Sequence, residues 1–375
     1  VRTVLAHGPT KTLVRLTNGM DADLRVLASE SAGAGLLYFT GSKSHNIALR
    51  KRALQLGLEL SEYGLFRDGR LLASRTEEEI YAALGLAWIP PELREDGNEV
   101  EFAARAELPL LITSRDIQGD LHVHTSWSDG SASIEAMARA ARERGRKYLA
   151  ITDHTSDLAV AHALSPDRLR AQIAEVRRVE SELSQIRLFA GVELNIRPDG
   201  SLDVDGAMLR ELDWVGAAVH SHFDQPRDEA TARLVRAIES GHIDVLFHPT
   251  SRSLGHRPGL NLDFDAVLAA CLRSGTALEI DAQPGRLDLP DALALRAKQA
   301  GVALIIDSDA HSPAELGYLD TFGVSVARRA WVDPSAVLNT LSASELSARI
   351  EARRRTGRRR KAAPASGDTT PGAHS

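Results

Sequence analysis

The sequence predicts an α/β chain, in which a run of about seven βα units, one short of the usual barrel, follows a smaller α+β region. Three observations lead there. β-Branched runs at 121–124, 147–152, 187–193, 213–219, 243–247, 276–281 and 302–307 alternate with amphipathic stretches of helical spacing, the rhythm of a parallel sheet. Most of these runs finish in His, Asp or Glu, and barrel active sites are built at the carboxyl ends of strands. Ahead of residue 119 the rhythm changes to period-two alternation around an Asn18-Gly19 turn.

Taken in order, Val4, Leu5, Leu13, Val14 and Leu16 alternate as strands do and lead through Asn18-Gly19 into a further strand over 23–27, a β-meander. Residues 44–60 carry helical spacing in Ile47, Ala48, Leu49, Ala53, Leu54 and Leu56, stopped by Gly57. Thr76 and Glu79 form a capping box for a helix to Leu84, and Pro90-Pro91 closes that region. The charged and short apolar pieces of 92–118 suit a connector. From 119 to about 345 the βα rhythm holds, and an open doubly wound sheet, with its ligands scattered along a crevice, is the alternative to a barrel. Residues 353–375 are basic, then rich in Ala, Pro, Ser, Gly and Thr, and are expected to be disordered.

With 375 residues and 43% apolar content the chain is long enough for two domains. No apolar run approaches the ~20 residues of a bilayer span, and Val1-Arg2-Thr3-Val4 lacks the pattern of a secretory signal, so a cytoplasmic protein without membrane contact is expected. The single cysteine, Cys271, excludes a disulfide framework and thiolate clusters, leaving nitrogen and oxygen ligands that suit manganese, zinc or iron. The net charge of −6 hides a basic cluster of Arg353, Arg354, Arg355, Arg358, Arg359, Arg360 and Lys361. An acidic body does not exclude nucleic acid, because bound divalent cations reverse the field a phosphate meets.

The run from Gly119 to Gly130 sets His122 and His124 two apart, on one face of a strand, with Asp129 at a turn that can fold a carboxylate back beside them. Later runs end in Thr152-Asp153-His154, Gly191-Val192-Glu193, Val219-His220-Ser221-His222, Phe247-His248-Pro249 and Asp307-Ser308-Asp309-Ala310-His311. Any one of these reads equally well as a solvated histidine or a carboxylate satisfied by backbone amides. Their recurrence at strand ends points to a metal site. Arg252 and Arg257, on the loop after His248-Pro249, could clamp phosphate oxygens or simply be solvated. His162 and His242 read as structural, while His222 and His256 stay open.

These motifs resemble the polymerase and histidinol phosphatase (PHP) domain family. Tyr38-Phe39-Thr40-Gly41-Ser42, His45-Asn46, Arg50, Glu62-Tyr63-Gly64 and Ile89-Pro90-Pro91-Glu92-Leu93-Arg94 resemble the palm end and thumb of a bacterial family X DNA polymerase, in which a PHP domain follows the polymerase core. The resemblance implies a distorted (βα)7 PHP barrel at 119–345, preceded by a small α+β partial palm and thumb region. It divides the remainder into a palm end at 1–34, a thumb at 35–105, a linker at 106–118 and a basic tail at 346–375. It further implies three divalent cations, Mn²⁺ foremost, with Zn²⁺ or Fe²⁺ fitting the same ligands. His122, His124, Glu193 and Asp309 would surround one ion, and Glu193 would bridge to a second held by His220 and His248. Asp129, His154 and His311 would take the third.

In the polymerase part Asp23 matches the last of the three palm aspartates, with Arg25 beside it, while Tyr38, Phe39, Gly41, Asn46 and Arg50 match residues lining the nucleotide and template pocket. The family's earlier Gly-Ser motif and paired Asp-x-Asp have no counterpart. A lone aspartate should not support two-metal nucleotide addition, so no polymerisation by this chain alone is expected, and the chain reads as a fragment lacking an upstream half. Asp281 stands where the family has Asn. The implied activity is 3′ to 5′ exonucleolytic hydrolysis of DNA ends in repair, by a monomer, through water activated by the cations, with Asp153 or His222 as candidate proton carriers. A histidinol-phosphatase-like phosphoesterase and a non-catalytic domain that braces DNA binding are the alternatives.

Overall fold

The computed structural model describes residues 1–95, 97–155 and 162–362, with side chains described as far as 355. The side chains of Arg358, Arg359, Arg360 and Lys361, and the whole of 363–375, therefore lie outside the described residues. The chain divides into two compact units, Val1–Pro109 and Leu110–Ser375.

In the first unit β1 (Thr3–His7), β2 (Lys11–Arg15) and β3 (Asp21–Arg25) form the expected antiparallel meander, with Gly19 at φ +88° in the turn. The helices α1 (Ala32–Thr40) and α2 (Lys43–Gln55) follow. Ser42 caps α2 by accepting a bond from the His45 backbone N–H at 3.1 Å. A second antiparallel sheet, β4 (Glu59–Ser61), β5 (Gly64–Arg67) and β6 (Arg70–Ala73), was not anticipated from the sequence. Its tight turn is Asp68-Gly69, both residues at positive φ, a hairpin signal that stood in the sequence. Thr76 caps α3 (Glu77–Ala83) through the Glu79 N–H, as its capping box predicts.

Residues 92–118 do not run as a bare connector. They contain α4 (Glu99–Ala104), and both Arg94 and Glu99 are fully buried. Arg94 holds Glu77 through two bonds of 2.7 and 2.8 Å, and Glu99 accepts from His45 Nδ1 at 2.6 Å while His45 Nε2 meets Tyr81 Oη at 2.9 Å. A charged stretch becomes core when each charge brings its own buried partner.

The second unit strings β7 (Gly119–Asp120), α5 (Ile134–Glu143), β8 (Tyr148–Ile151), α6 (Pro166–Glu182), β9 (Arg187–Asn195), β10 (Trp214–Ala218), α7 (Arg227–Glu239), β11 (Val245–Leu246), α8 (Phe264–Ser274), β12 (Ala277–Asp281), α9 (Asp291–Ala300) and β13 (Leu304–Asp307). The helices α10 (Val324–Arg329) and α11 (Ala343–Ala362) complete it. The seven strands pair in parallel and in sequence order from β7 to β13, with no switch point. The two edge strands then approach one another. Val123 bridges Ala310, the Leu121 N–H donates to Asp307 Oδ1 at 2.7 Å, and Asn339 donates to both Gly119 and Ile306 carbonyls. This nearly closed barrel excludes the open doubly wound sheet.

Period-two alternation decides which residues face in. Tyr148, Ala150, Phe189, Trp214, Ala218, Val245, Ala277 and Ile305 form one cluster inside, while Val192, Leu194, Val215, Ala217, Leu278, Ile280, Leu304 and Ile306 lie in a second core with residues of the covering helices. Aromatic rings fit inside only because small residues face them. A Cβ on Gly216 would stand 1.8 Å from the Phe247 ring. Two expectations need correcting. The first strand stops at Asp120, so His122 and His124 sit on the extension past it, held by the Leu121 N–H on Asp307, by the bonds of Val123 to Thr152 and by the His124 N–H on the Ala310 carbonyl. The basic stretch does not begin as a disordered tail, because α11 runs to Ala362 and Arg353 and Arg354 both bond the buried Asp244.

Candidate metal centre

Inward-facing alternation on β9 places Phe189, Gly191 and Glu193 in one row, and Glu193 is the member at the carboxyl end, 1% exposed. The other donors leave their strands at the same mouth. His248 and Asp309 do so at positive φ, 26° and 48°, a backbone conformation that side chains with a Cβ adopt at a cost. Glu193 is the hub. Its Oε1 lies 2.8 Å from His248 Nε2 and 3.1 Å from His220 Nε2, and its Oε2 lies 3.0 Å from His154 Nδ1 and 3.4 Å from Nε2 of both His122 and His124.

Asp309 Oδ1 lies 3.2 Å from His124 Nε2 and 3.5 Å from His122 Nε2. Asp129 lies 3.5 Å from His154, 3.6 Å from His311 and 3.7 Å from His124. Three groups of donor atoms fall within one ion's reach: His124, Asp129, His154 and His311; His122, His124 and Asp309; and His154, Glu193 and His220. The grouping differs from the division implied by the resemblance in four respects: His124 also joins the Asp129 group, His154 also stands with Glu193 and His220, Glu193 is not grouped with His122, His124 and Asp309, and His248 falls in none of the three.

The residues fit divalent cations on a physical criterion. Seven buried donor atoms here have no hydrogen-bond partner: His122 Nε2, both nitrogens of His124, His154 Nδ1, Glu193 Oε2, His220 Nδ1 and His248 Nδ1. Leaving so many buried polar atoms unpaired is costly unless something else satisfies them. Charge points the same way. Burial alone would push the Glu193 carboxyl up, but the imidazoles of His154, His220 and His122 hold it well below its ordinary range. Asp129 and Asp309 are likewise held low against burial by the histidines around them. Burial pushes His124 and His248 down to about 3, the neutral form a cation requires. Burial also opposes charge on His154, yet Glu193 and Asp129 carry it up to about 10.

Behind the donors stands a layer that the sequence motifs did not reveal. His122 Nδ1 lies 2.6 Å from Glu279 Oε1, and the other Glu279 oxygen accepts the His248 backbone N–H at 2.5 Å. The Phe247 ring stacks on His122 at 3.6 Å between centroids. Glu279 and Asp281 alternate on β12, and that spacing at a strand end was the available signal for an inward carboxylate. Asp281 is buried, and burial together with Asp309 and Glu279 pushes its carboxyl well above the ordinary range. Arg286 lies 3.7 Å from Asp281 and 3.8 Å from Asp309.

Among the other candidates, Asp153 is fully engaged, accepting from the Thr125 N–H and hydroxyl, the Ser128 hydroxyl and Gln172 at 2.6 to 2.7 Å. It braces the 122–130 segment. His222 and His162 are exposed, and His242 is half-buried against Gly206. The centre opens into a cavity of about 430 Å³ whose rim includes Phe223, Arg257 and Arg286. Arg257 Cζ stands over the Phe223 ring, 3.6 Å from its centroid, held by two bonds to the Ser251 carbonyl. Arg252 turns its guanidinium onto the Arg286 and Leu287 carbonyls and lines a neighbouring concavity.

In the first unit the exposed Asp23 is paired with Arg25 at 2.9 Å and Lys11 at 3.7 Å, and none of the donor groups includes it among the described residues. Tyr38 and Phe39 meet edge-to-face at 4.9 Å, Arg50 lies over Tyr38, Arg25 over Phe39, and Asn46 donates to the Tyr38 carbonyl. Gly41 closes α1 where a Cβ would meet the His45 ring at 3.0 Å. Among the described residues no helix is long and apolar enough to cross a membrane.

Comparison with known proteins gives these units a lineage. The DNA polymerase beta thumb family matches residues 35–95, and the PHP domain family matches residues 120–269. The "DNA polymerase/3'-5' exonuclease PolX" of Bacillus subtilis is 40% identical over 93% of this chain, which spans 61% of that protein's length. A "Probable phosphatase" of Shewanella sediminis is 32% identical over 53% of this chain and 80% of its own length. A solved Leishmania infantum polymerase beta is 27% identical over 24% of this chain and 46% of its own, with a TM-score of 0.22, too slight a likeness to carry an inference. On these findings the chain belongs to the PHP domain family, and its thumb segment places it with the bacterial family X polymerases that carry that domain.

Proposed function

We propose that this chain hydrolyses phosphodiesters at DNA 3′ ends as a metal-dependent 3′ to 5′ exonuclease. The observation that carries the reading is the convergence of His122, His124, Asp129, His154, Glu193, His220, His248, Asp309 and His311 at one barrel mouth, with seven of their buried atoms unpaired. The DNA substrate is supported by the thumb segment and by the activity named for the Bacillus relative. The domain limits follow those implied by the sequence for the palm end 1–34, thumb 35–105, linker 106–118 and barrel 119–345, while the stretch expected as a tail at 346–375 begins within α11, packed on the barrel through Leu346 and Ile350.

The nine residues would hold three divalent ions, Mn²⁺ foremost, with Glu193 between two of them. Such ions lower the pKa of a bound water and neutralise charge on a phosphate in flight. The chain's own part is positional. Glu279 fixes the face His122 presents, Arg286 beside Asp309 meets a nonbridging oxygen, and Phe223 with Arg257 over its ring walls the cavity. In this reading the attacking group is water, since no Ser, Thr, Cys or Lys lines the cavity among the described residues and its His, Asp and Glu side chains would be engaged as ligands. Asp23, Arg25, Tyr38, Phe39, Gly41, Asn46 and Arg50 would contact the primer and template side without supporting nucleotide addition. We assign the protein to the cytoplasm, as a monomer, in the repair of DNA ends.

The test is a 5′-labelled oligonucleotide with Mn²⁺. Stepwise shortening is expected, abolished by His122→Ala or Asp309→Asn while circular dichroism holds. The phosphatase name of the Shewanella relative defines the rival outcome. Turnover of histidinol phosphate with the DNA intact would replace this reading.

A further inference from the structure

The 252–259 loop lines an open concavity of about 440 Å³ beside the metal centre, and Arg257 lines both spaces. Its lining holds Arg252, His256 and Arg257 and contains no carboxylate. Neither arginine forms an ion pair among the described residues. Arg252 spends Nε and Nη2 on the Arg286 and Leu287 carbonyls, and Arg257 spends its Nε and Nη2 on the Ser251 carbonyl. Neutral acceptors fix both guanidinium groups in place, with the buried Asp288 carboxylate acting electrostatically on Arg252 and the Arg286 cation on Arg257.

The loop is held rather than loose. Ser253 and Arg257 exchange backbone bonds of 2.9 and 2.8 Å, the Leu254 N–H donates to the Gly285 carbonyl at 2.7 Å, and Gly255 turns at φ +75°. His256 stands exposed at its tip. A charged, preformed, acid-free hollow sharing a wall with the catalytic cavity suits a second anion. Successive phosphates of a strand are one nucleotide apart, so a strand whose last phosphodiester lies at the donors brings the one before it past Arg257.

We propose that Arg252, His256 and Arg257 form an upstream phosphate subsite that makes the centre selective for a polynucleotide end over an isolated phosphate ester. The proposal rests on the exonuclease reading and names what distinguishes the substrate of that site from a small phosphoester.

His256→Glu tests it, because the residue is exposed and its replacement threatens no packing. Two substrates are compared with Mn²⁺: a dT12 oligonucleotide, and the p-nitrophenyl ester of thymidine 5′-phosphate, which carries a single phosphate. The oligonucleotide KM is expected to rise about tenfold with kcat within about twofold, and the ester's kcat/KM to stay within about twofold of the parent's. Binding of labelled dT12 to the Asp309→Asn protein supplies a readout without turnover. There the added His256→Glu should weaken affinity and flatten the log–log salt dependence, because the new carboxylate opposes the strand's phosphate. Equal loss on both substrates, or dT12 binding that does not move, overturns the subsite. A parent chain that cuts neither substrate sinks the exonuclease reading instead, while dT12 binding still decides the subsite.

Discussion

His122 Nδ1 and Glu279 Oε1 stand 2.6 Å apart, both fully buried, and the contact fixes which ring nitrogen His122 turns toward Glu193 and Asp309. A carboxylate in this position orients the ring and raises its basicity as a ligand. Outer partners of this kind are worth about 10- to 100-fold in metal affinity. Glu279→Gln keeps the shape, so chelator-competition titration should show Mn²⁺ affinity falling by about that factor with the fold retained. Unchanged affinity would mean that the packing of Phe247 alone holds the ring.

Phe247 leads to the second prediction. Its ring stacks on His122 and occupies the space that a side chain at position 216 would need, 1.8 Å from a Cβ built on Gly216. Gly216→Ala must displace that ring inside a closed barrel, and overpacking of this sort costs about 1–3 kcal/mol or more. Urea unfolding should register the loss, with Mn²⁺ affinity falling alongside. A stable variant with weakened metal binding would place the strain in the centre itself, and a fully tolerated alanine would contradict the packing described.

The donors were legible in the sequence because a strand end exposes whatever follows it: Glu193 and Asp309 come at the ends of apolar runs, and His122 and His124 alternate onto one face. Glu279 and Arg286 were not, since neither sits in a ligand-like motif and their roles come from what the barrel packs against them. The Ala32–Thr40 helix escaped because its Gly-rich sequence has little helical propensity; Gly33 is there because the Thr76 backbone would lie 2.3 Å from a Cβ. Arg353 read as a solvated tail residue because its acceptor, Asp244, lies 109 residues away in sequence. The Asp68-Gly69 dipeptide carries its hairpin signal locally, with both residues at positive φ in the turn.

Asp288 gives a pH dependence of known sign. Burial pushes its carboxyl up from 3.8 to about 6, against the bonds it accepts from Thr250. The folded state therefore binds this proton more tightly than the unfolded chain. The stability it contributes is greatest in acid and falls as pH rises from about 4 to about 6. Asp288→Asn removes the titration, so the variant should gain on the parent by on the order of 3 kcal/mol between about pH 4 and pH 7, measured by urea unfolding. Parallel pH curves for the two proteins would show that Asp288 keeps an ordinary carboxyl in the fold.

The first unit rests on a different buried charge. Arg94, wholly buried, bonds both oxygens of Glu77 as well as the Ile89 carbonyl and the Thr40 hydroxyl, while Trp88 Nε1 donates to the same Glu77 carboxylate at 3.0 Å. These partners hold the Glu77 carboxyl below its ordinary range despite burial, so it stays ionised. Arg94→Met strands that charge and should cost about 3–5 kcal/mol. Glu77→Met added to it removes the stranded group, and much of the loss should return, since replacing a buried pair by apolar side chains is often neutral. A double-mutant cycle in urea reads the coupling directly. Additive losses in the double variant would mean that Arg94 acts through Ile89 and Thr40, and that Glu77 contributes on its own.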